Sequence, residues 1–202
     1  MTPTRARHSR TTRWIMFLKL ALVLAGVSGT VALAADGDPI AGKRKTVTCN
    51  GCHAQAAMKN VPSLAGQNAA YFIAAMVAYQ DGVRTHATMR DVAKSWSMQE
   101  LKNFAAWYSE PLAVGVDASD DTAPAAAGRC AACHGADGRA TNTPDIPRIA
   151  GQKASYIALV LREYRAGTRV HPVMQQQAAG LSDEDIGALS RHYAERAGLS
   201  VK

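Results

Sequence analysis

Apolar positions recur at helical spacing in two distant parts of the chain. Leu101, Phe104 and Tyr108 follow Ser97-Met-Gln-Glu100, and Ile186, Leu189 and Tyr193 follow Ser182-Asp-Glu-Asp185. In each case a serine stands three residues before a carboxylate, the start expected of a capped helix. The apolar residues that follow share one helical face. Upstream, Tyr71, Ala75 and Tyr79 fall at i, i+4 and i+8, as do Tyr156, Val160 and Tyr164, and Gly82 and Gly167 follow as helix-ending residues. No segment sustains strand alternation, so the pattern predicts a mostly α-helical protein.

The two sets are copies of one another. Val61 to Met89 aligns without gaps to Ile146 to Met174 at an offset of 85, with eleven of 29 positions identical, among them Gln67/Gln152, Gly82/Gly167, Arg84/Arg169, His86/His171 and Met89/Met174. Between the copies, Val114 to Ala127 is rich in Asp, Ala, Ser and Thr with Pro124, the composition of a linker. The expected organisation is an N-terminal leader over residues 1–35, one domain over 36–114 and a second over 115–202 that begins with the linker. Domains this small are marginal unless something helps to fill the core.

Composition changes this picture at the N-terminus. Residues 1–35 hold Arg5, Arg7, Arg10, Arg13 and Lys19 without an acidic residue, then the apolar run from Leu20 to Gly26 and the small-x-small pattern Ala32-Leu-Ala34. This reads as a cleaved secretory signal peptide; the competing reading is a retained anchor, which Lys19 interrupts. Setting the leader aside leaves 18 basic against 16 acidic residues of the whole chain's 23 and 16, so the formal charge of +7 belongs mainly to the leader. A basic patch on the folded part, which a nucleic-acid partner would need, is not apparent. Export points to the periplasm, and a loose membrane association stays open.

Export would ordinarily turn four cysteines into disulfides. Here they occur as Cys49-Asn-Gly-Cys52-His53 and Cys130-Ala-Ala-Cys133-His134. Cys-x-x-Cys-His is the attachment motif of c-type haem: one helical turn presents two thiols to the vinyl groups on one porphyrin edge, and the adjacent imidazole binds the iron. A redox disulfide would need a βαβ setting, and a four-cysteine zinc site a far shorter loop; neither accounts for the histidine after both second cysteines. The motifs lie 81 residues apart, so the second copy carries four extra residues before Pro147. Two covalent haem c groups are the cofactors this implies.

The sixth ligand separates an electron carrier from a catalyst. Met89 and Met174 match across the repeat and lie 36 and 40 residues after His53 and His134, far enough to return over the ring's other face. A thioether there would raise the reduction potential. His86 and His171, three residues before each methionine, are the rival ligands, and bis-histidine ligation would lower it.

The chain resembles the dihaem cytochromes c4. The resemblance spans the mature region and is carried by both haem motifs, Pro62-Ser-Leu-Ala-Gly-Gln67, Pro147-Arg-Ile-Ala-Gly-Gln152, the Gly-x-Arg segments at Gly82 and Gly167, and Met89 and Met174. It implies an all-α fold of two tandem cytochrome c domains about a pseudo-twofold axis, with haem propionates meeting near the interface. It also implies His/Met ligation at both irons, His53 with Met89 and His134 with Met174, and Pro62 and Pro147 carbonyls that accept the proximal imidazole protons. Arg84 and Arg169 are candidates for pairing with propionates, against the plainer reading of surface arginines. One departure stands out: His134 is followed by Gly135-Ala-Asp-Gly138, as the family commonly shows, but His53 by Ala54-Gln-Ala-Ala. Equal potentials for the two haems are therefore not expected.

The function implied is a periplasmic carrier of single electrons, taking them from a quinol-oxidising complex to a terminal oxidase. The alternative is a cytochrome subunit of a dehydrogenase that oxidises sulfide or an alcohol. A dihaem peroxidase would need one open iron, and the paired methionines argue against it.

Overall fold

The computed structural model describes residues 37–110, 123–140 and 143–200. The leader and most of the linker expected from the sequence lie outside these residues. All the described residues fall within one compact unit, Leu33–Lys202.

Among the described residues the chain is helical, without strands. The first copy contributes α1 (Pro39–Lys45), α2 (Val47–His53), α3 (Ala69–Gln80), α4 (Ala87–Lys94) and α5 (Met98–Tyr108). The second contributes α6 (Ala127–His134), α7 (Ala154–Arg165), α8 (Pro172–Ala178) and α9 (Asp183–Ala194). The capping boxes form as the sequence predicts. The Ser97 hydroxyl accepts from the Glu100 N–H and the Glu100 carboxylate from the Ser97 N–H at 2.9 Å, and Ser182 and Asp185 repeat the arrangement at the start of α9. Gly82 and Gly167 each stand one residue beyond a helix cap with φ of +78° and +75°, the left-handed turn that ends α3 and α7.

Each copy has its own apolar cluster. Leu101, Phe104 and Tyr108 of α5 are at most 1 % exposed and pack with Phe72 and Met76 of α3; Ile186, Leu189 and Tyr193 of α9 form the equivalent cluster with Ala178 and Leu181. In α3 the buried pair is Phe72 and Met76, one position on from the Tyr71–Ala75–Tyr79 row that the sequence suggests, and that row lies on the helix flank. The loops before α3 and α7 are tied to these clusters alike: the Gly66 N–H donates to the Tyr108 carbonyl at 2.6 Å and the Gly151 N–H to the Tyr193 carbonyl at 2.8 Å.

The copies are joined by a reciprocal pair of buried amides. Gln67 donates through Nε2 to the Arg148 carbonyl at 3.1 Å and accepts from the Arg148 N–H at 2.8 Å. Gln152 does the same to Ser63, donating to its carbonyl at 3.1 Å and accepting from its N–H at 2.8 Å. Ser63 and Arg148 are themselves repeat equivalents, so one contact is used twice about a pseudo-twofold relation. The Ser200 N–H adds a bond from the C-terminal segment to the Ala65 carbonyl at 3.2 Å.

Candidate haem sites

The two attachment motifs occupy the last turns of α2 and α6, which end on His53 and His134. Cys49 and Cys130 are half-buried, whereas Cys52 and Cys133 are exposed, and all four thiols are free. No group of three or more His, Cys, Asp or Glu among the described residues is placed to hold a metal ion directly. Disulfide and zinc therefore have no geometry to support them, while two thiols and an imidazole on one short helix remain, in duplicate.

Each imidazole is fixed by a backbone bond. His53 Nδ1 lies 2.8 Å from the Pro62 carbonyl and His134 Nδ1 lies 2.9 Å from the Pro147 carbonyl. A carbonyl only accepts, so Nδ1 carries the proton in both rings and the Nε2 lone pair is left for iron. Burial is the largest influence on both rings and pulls their pKa below the ordinary histidine value; the proline carbonyls oppose it. The effect favours the neutral, ligating form.

The walls around the motifs suit an apolar macrocycle. Cys49, Leu64, Ile73, Val77 and Met89 border the first cluster, and Cys130, Ile149, Ile157 and Leu161 border the second, all half-buried. Two tyrosines absent from the sequence-based site also reach the motifs. The Tyr108 hydroxyl donates to Asn50 Oδ1 at 2.9 Å, inside Cys49-Asn-Gly-Cys52, and neighbours the Cys49 thiol; Tyr193 neighbours Cys130. Burial pushes both of these thiols up, and the neighbouring tyrosines oppose it. Their match at the repeat offset, within helices whose apolar face buries them, was the available signal.

On the returning segment, methionine and histidine divide their roles. His86 is the N-cap of α4 and His171 that of α8; each Nδ1 accepts the N–H of the methionine three residues on, at 3.3 Å. Both histidines are exposed, while Met89 and Met174 are half-buried and Met89 packs against the first apolar cluster. Helix capping thus accounts for the matched histidines without iron.

Arg84 stacks over Tyr79 with its guanidinium carbon 4.4 Å from the ring centre, and Arg169 over Tyr164 at 5.3 Å. Arg169 also donates to the Tyr164 hydroxyl at 3.1 Å and lies 3.6 Å from Glu163. Burial and then Tyr156 push the Tyr71 phenol up, and Arg84 and Arg169 pull it down, so these side chains of the two copies share one neighbourhood. They are held in place, not free at the surface.

No protein-family model matches the chain. Cytochrome c4 of Pseudomonas aeruginosa is 34% identical over 194 residues, covering 86% of this chain and 96% of its own. The structure of reduced cytochrome c4 from Pseudomonas stutzeri superposes with a TM-score of 0.69 at 27% identity, over 79% of this chain and 99% of that one. A thiosulfate dehydrogenase electron acceptor of Stutzerimonas stutzeri is 45% identical over 65 residues, 32% of this chain and 30% of its own. Likeness on that scale, joined to two motifs on equivalent helices with equivalently tethered histidines, means that the chain belongs to the cytochrome c4 family and carries electrons on two covalent haem c groups.

Proposed function

We propose that the protein shuttles single electrons through the periplasm, from a quinol-oxidising complex to a terminal oxidase. Residues 1–35 are removed on export, and the domains 36–114 and 115–202 each hold one haem. Cys49 and Cys52 would hold the first through thioethers and Cys130 and Cys133 the second, with His53 and Met89, and His134 and Met174, as the iron ligands. Haem c, when bound, supplies a one-electron couple at each iron. The protein's part is to fix the ligands and keep the pocket dry. Pro62 and Pro147 hold the imidazoles in one orientation, α4 and α8 bring the thioethers round, and the apolar walls exclude water.

The observation that carries this reading is the division of labour in the returning segment. With His86 and His171 spent on helix caps, Met89 and Met174 are the half-buried donors left, at matched positions. Two protein ligands to each iron would leave no vacancy for substrate, which is the property of a carrier. The test is optical and magnetic-resonance spectroscopy of the mature holoprotein. Met89→Ala and Met174→Ala are each expected to alter one haem's spectrum and lower its potential, whereas His86→Ala leaves both irons six-coordinate. Unchanged spectra in both methionine variants would refute the assignment.

A second reading has one observation in its favour, the likeness of about a third of the chain to the electron acceptor of a thiosulfate dehydrogenase. In that reading the protein takes its electrons directly from a periplasmic dehydrogenase. Purification from the native cell separates the two: a dehydrogenase co-eluting at fixed stoichiometry would favour the second.

A further inference from the structure

The residues that cap α3 and α7 are repeat equivalents of different charge, Asn68 and Lys153. Both reach across to the loop that follows the other copy's haem motif. Asn68 is buried, and its Nδ2 donates to the carbonyls of Ile146 at 2.6 Å, Thr143 at 3.2 Å and Ala140 at 3.4 Å. Lys153 Nζ donates to the carbonyls of Gln55 at 2.7 Å and Met58 at 3.1 Å. The Ser155 hydroxyl adds a bond to the Lys59 carbonyl, where the equivalent residue, Ala70, has no donor.

These bonds fall on the segment where the sequence departs from its other copy. The loop after His134 is held from within: the Gly138 carbonyl accepts from Ile149 and Ala150, and Asp137 accepts from the Arg139 N–H at 3.0 Å. The loop after His53 lacks that Gly-Ala-Asp-Gly sequence, and Lys153 and Ser155 hold it from outside. The exchange is therefore symmetric in place and asymmetric in charge.

We propose that Lys153 is a positioning and tuning residue, whose ammonium, fixed on the Gln55–Met58 backbone, raises the reduction potential of the first haem relative to the second. The inference rests on His53 as an axial ligand of the first haem. A nearby positive charge destabilises ferric iron more than ferrous iron, because the ferric centre carries one more positive charge. The Gln55 carbonyl that holds the ammonium lies two residues beyond His53 in the chain, whereas the repeat-equivalent side chain, Asn68, is neutral. Since Lys153 is partly open to solvent, its effect is screened by salt. Arg148, whose equivalent is Ser63, is another unmatched cation at the junction. It is bound to the carbonyls of Gly66 at 2.6 Å and Arg139 at 3.1 Å, not to the Gln55–Met58 backbone.

The test is a redox titration of the mature two-haem protein, with each haem assigned by its methyl proton resonances. Lys153→Gln is expected to shift the first haem's potential downward and leave the second's in place, while Lys153→Arg keeps the parent value. In the parent, raising ionic strength is expected to lower the first potential more than the second, a measurement that needs no variant. The proposal is overturned if Lys153→Gln moves neither potential, if Lys153→Arg shifts the first haem as far as Lys153→Gln, or if Arg148→Gln shifts it instead. Failure of the ligand assignment is distinct, because it would appear as a first haem whose spectrum in the parent is not that of histidine with a sulfur ligand.

Discussion

Gln152→Ala tests whether the reciprocal amides hold the two copies together. The substitution removes both bonds to Ser63, whose residue is 4 % exposed, and leaves its N–H and carbonyl without a partner in a place water reaches poorly. Each orphaned buried group costs roughly 1–3 kcal/mol, so the expected loss is about 2–5 kcal/mol, with the carbonyl at the lower end because it has a second lone pair. The third bond, from the Lys153 N–H at 3.0 Å, is at a partly exposed residue and adds little. Gln67→Ala removes the matching pair at half-buried Arg148, where water can replace part of what is lost, and also orphans the buried Asn68 N–H, bound at 2.8 Å, so its expected cost is similar. A small domain has only about 5–15 kcal/mol in total, so a loss of this size is easily measured. The assay is denaturant unfolding of the mature holoprotein, followed in parallel by far-ultraviolet circular dichroism and by haem absorbance. In the double variant the copies are expected to unfold in separate steps where the parent unfolds in one. A loss below about 0.5 kcal/mol for Gln152→Ala would refute the reasoning, since that is the range of an ordinary surface substitution.

The remaining predictions concern the helix start and the second loop. Lys45, at 2.5 Å, and then the Ser97 backbone and hydroxyl hold the Glu100 carboxyl at about 2, below its ordinary 4.5. A carboxyl lowered by folding stabilises fully above its unfolded value and loses that contribution as pH falls through its folded value. Glu100→Gln is therefore expected to flatten the fall in denaturation midpoint between about pH 4.5 and 2, and an unchanged slope would reject the link. Gly138 has φ of +75°, and a Cβ there would come 2.8 Å from Tyr193 Cδ1 and 3.1 Å from the Ala150 nitrogen. Gly167 has the same φ but would meet only Gln175 Nε2 at 3.7 Å. Calorimetry is expected to show Gly167→Ala costing about 1–2 kcal/mol, the left-handed penalty alone, and Gly138→Ala clearly more. Equal losses would refute the packing argument.

What the sequence by itself determined about this protein is what neighbours along the chain decide. A capping box lies within four residues, an amphipathic face within a few turns, and Cys-x-x-Cys-His within one turn of helix, so Ser97, Ser182 and both haem motifs were legible as they stand. The repeat was legible because self-similarity needs no coordinates, and it picked out His86, Met89, His171 and Met174 together. The resemblance put the methionines ahead of the histidines as ligands. The structure adds that both methionines are half-buried and that each histidine ring accepts its own helix's N–H. The proline carbonyls on His53 and His134 were expected from resemblance and appear as geometry. Only the tertiary structure decided how the copies meet. Gln67 and Gln152 were legible only as a matched pair, and the backbone they tie down belongs to the other copy, 81 and 89 residues away. Lys153 reaches Gln55 across 98 residues, and Tyr108 reaches Asn50 across 58. Such partners have no periodicity to betray them: tertiary packing, within a copy for Tyr108 and between copies for the others, brings them together, and the chain between them leaves no trace of it.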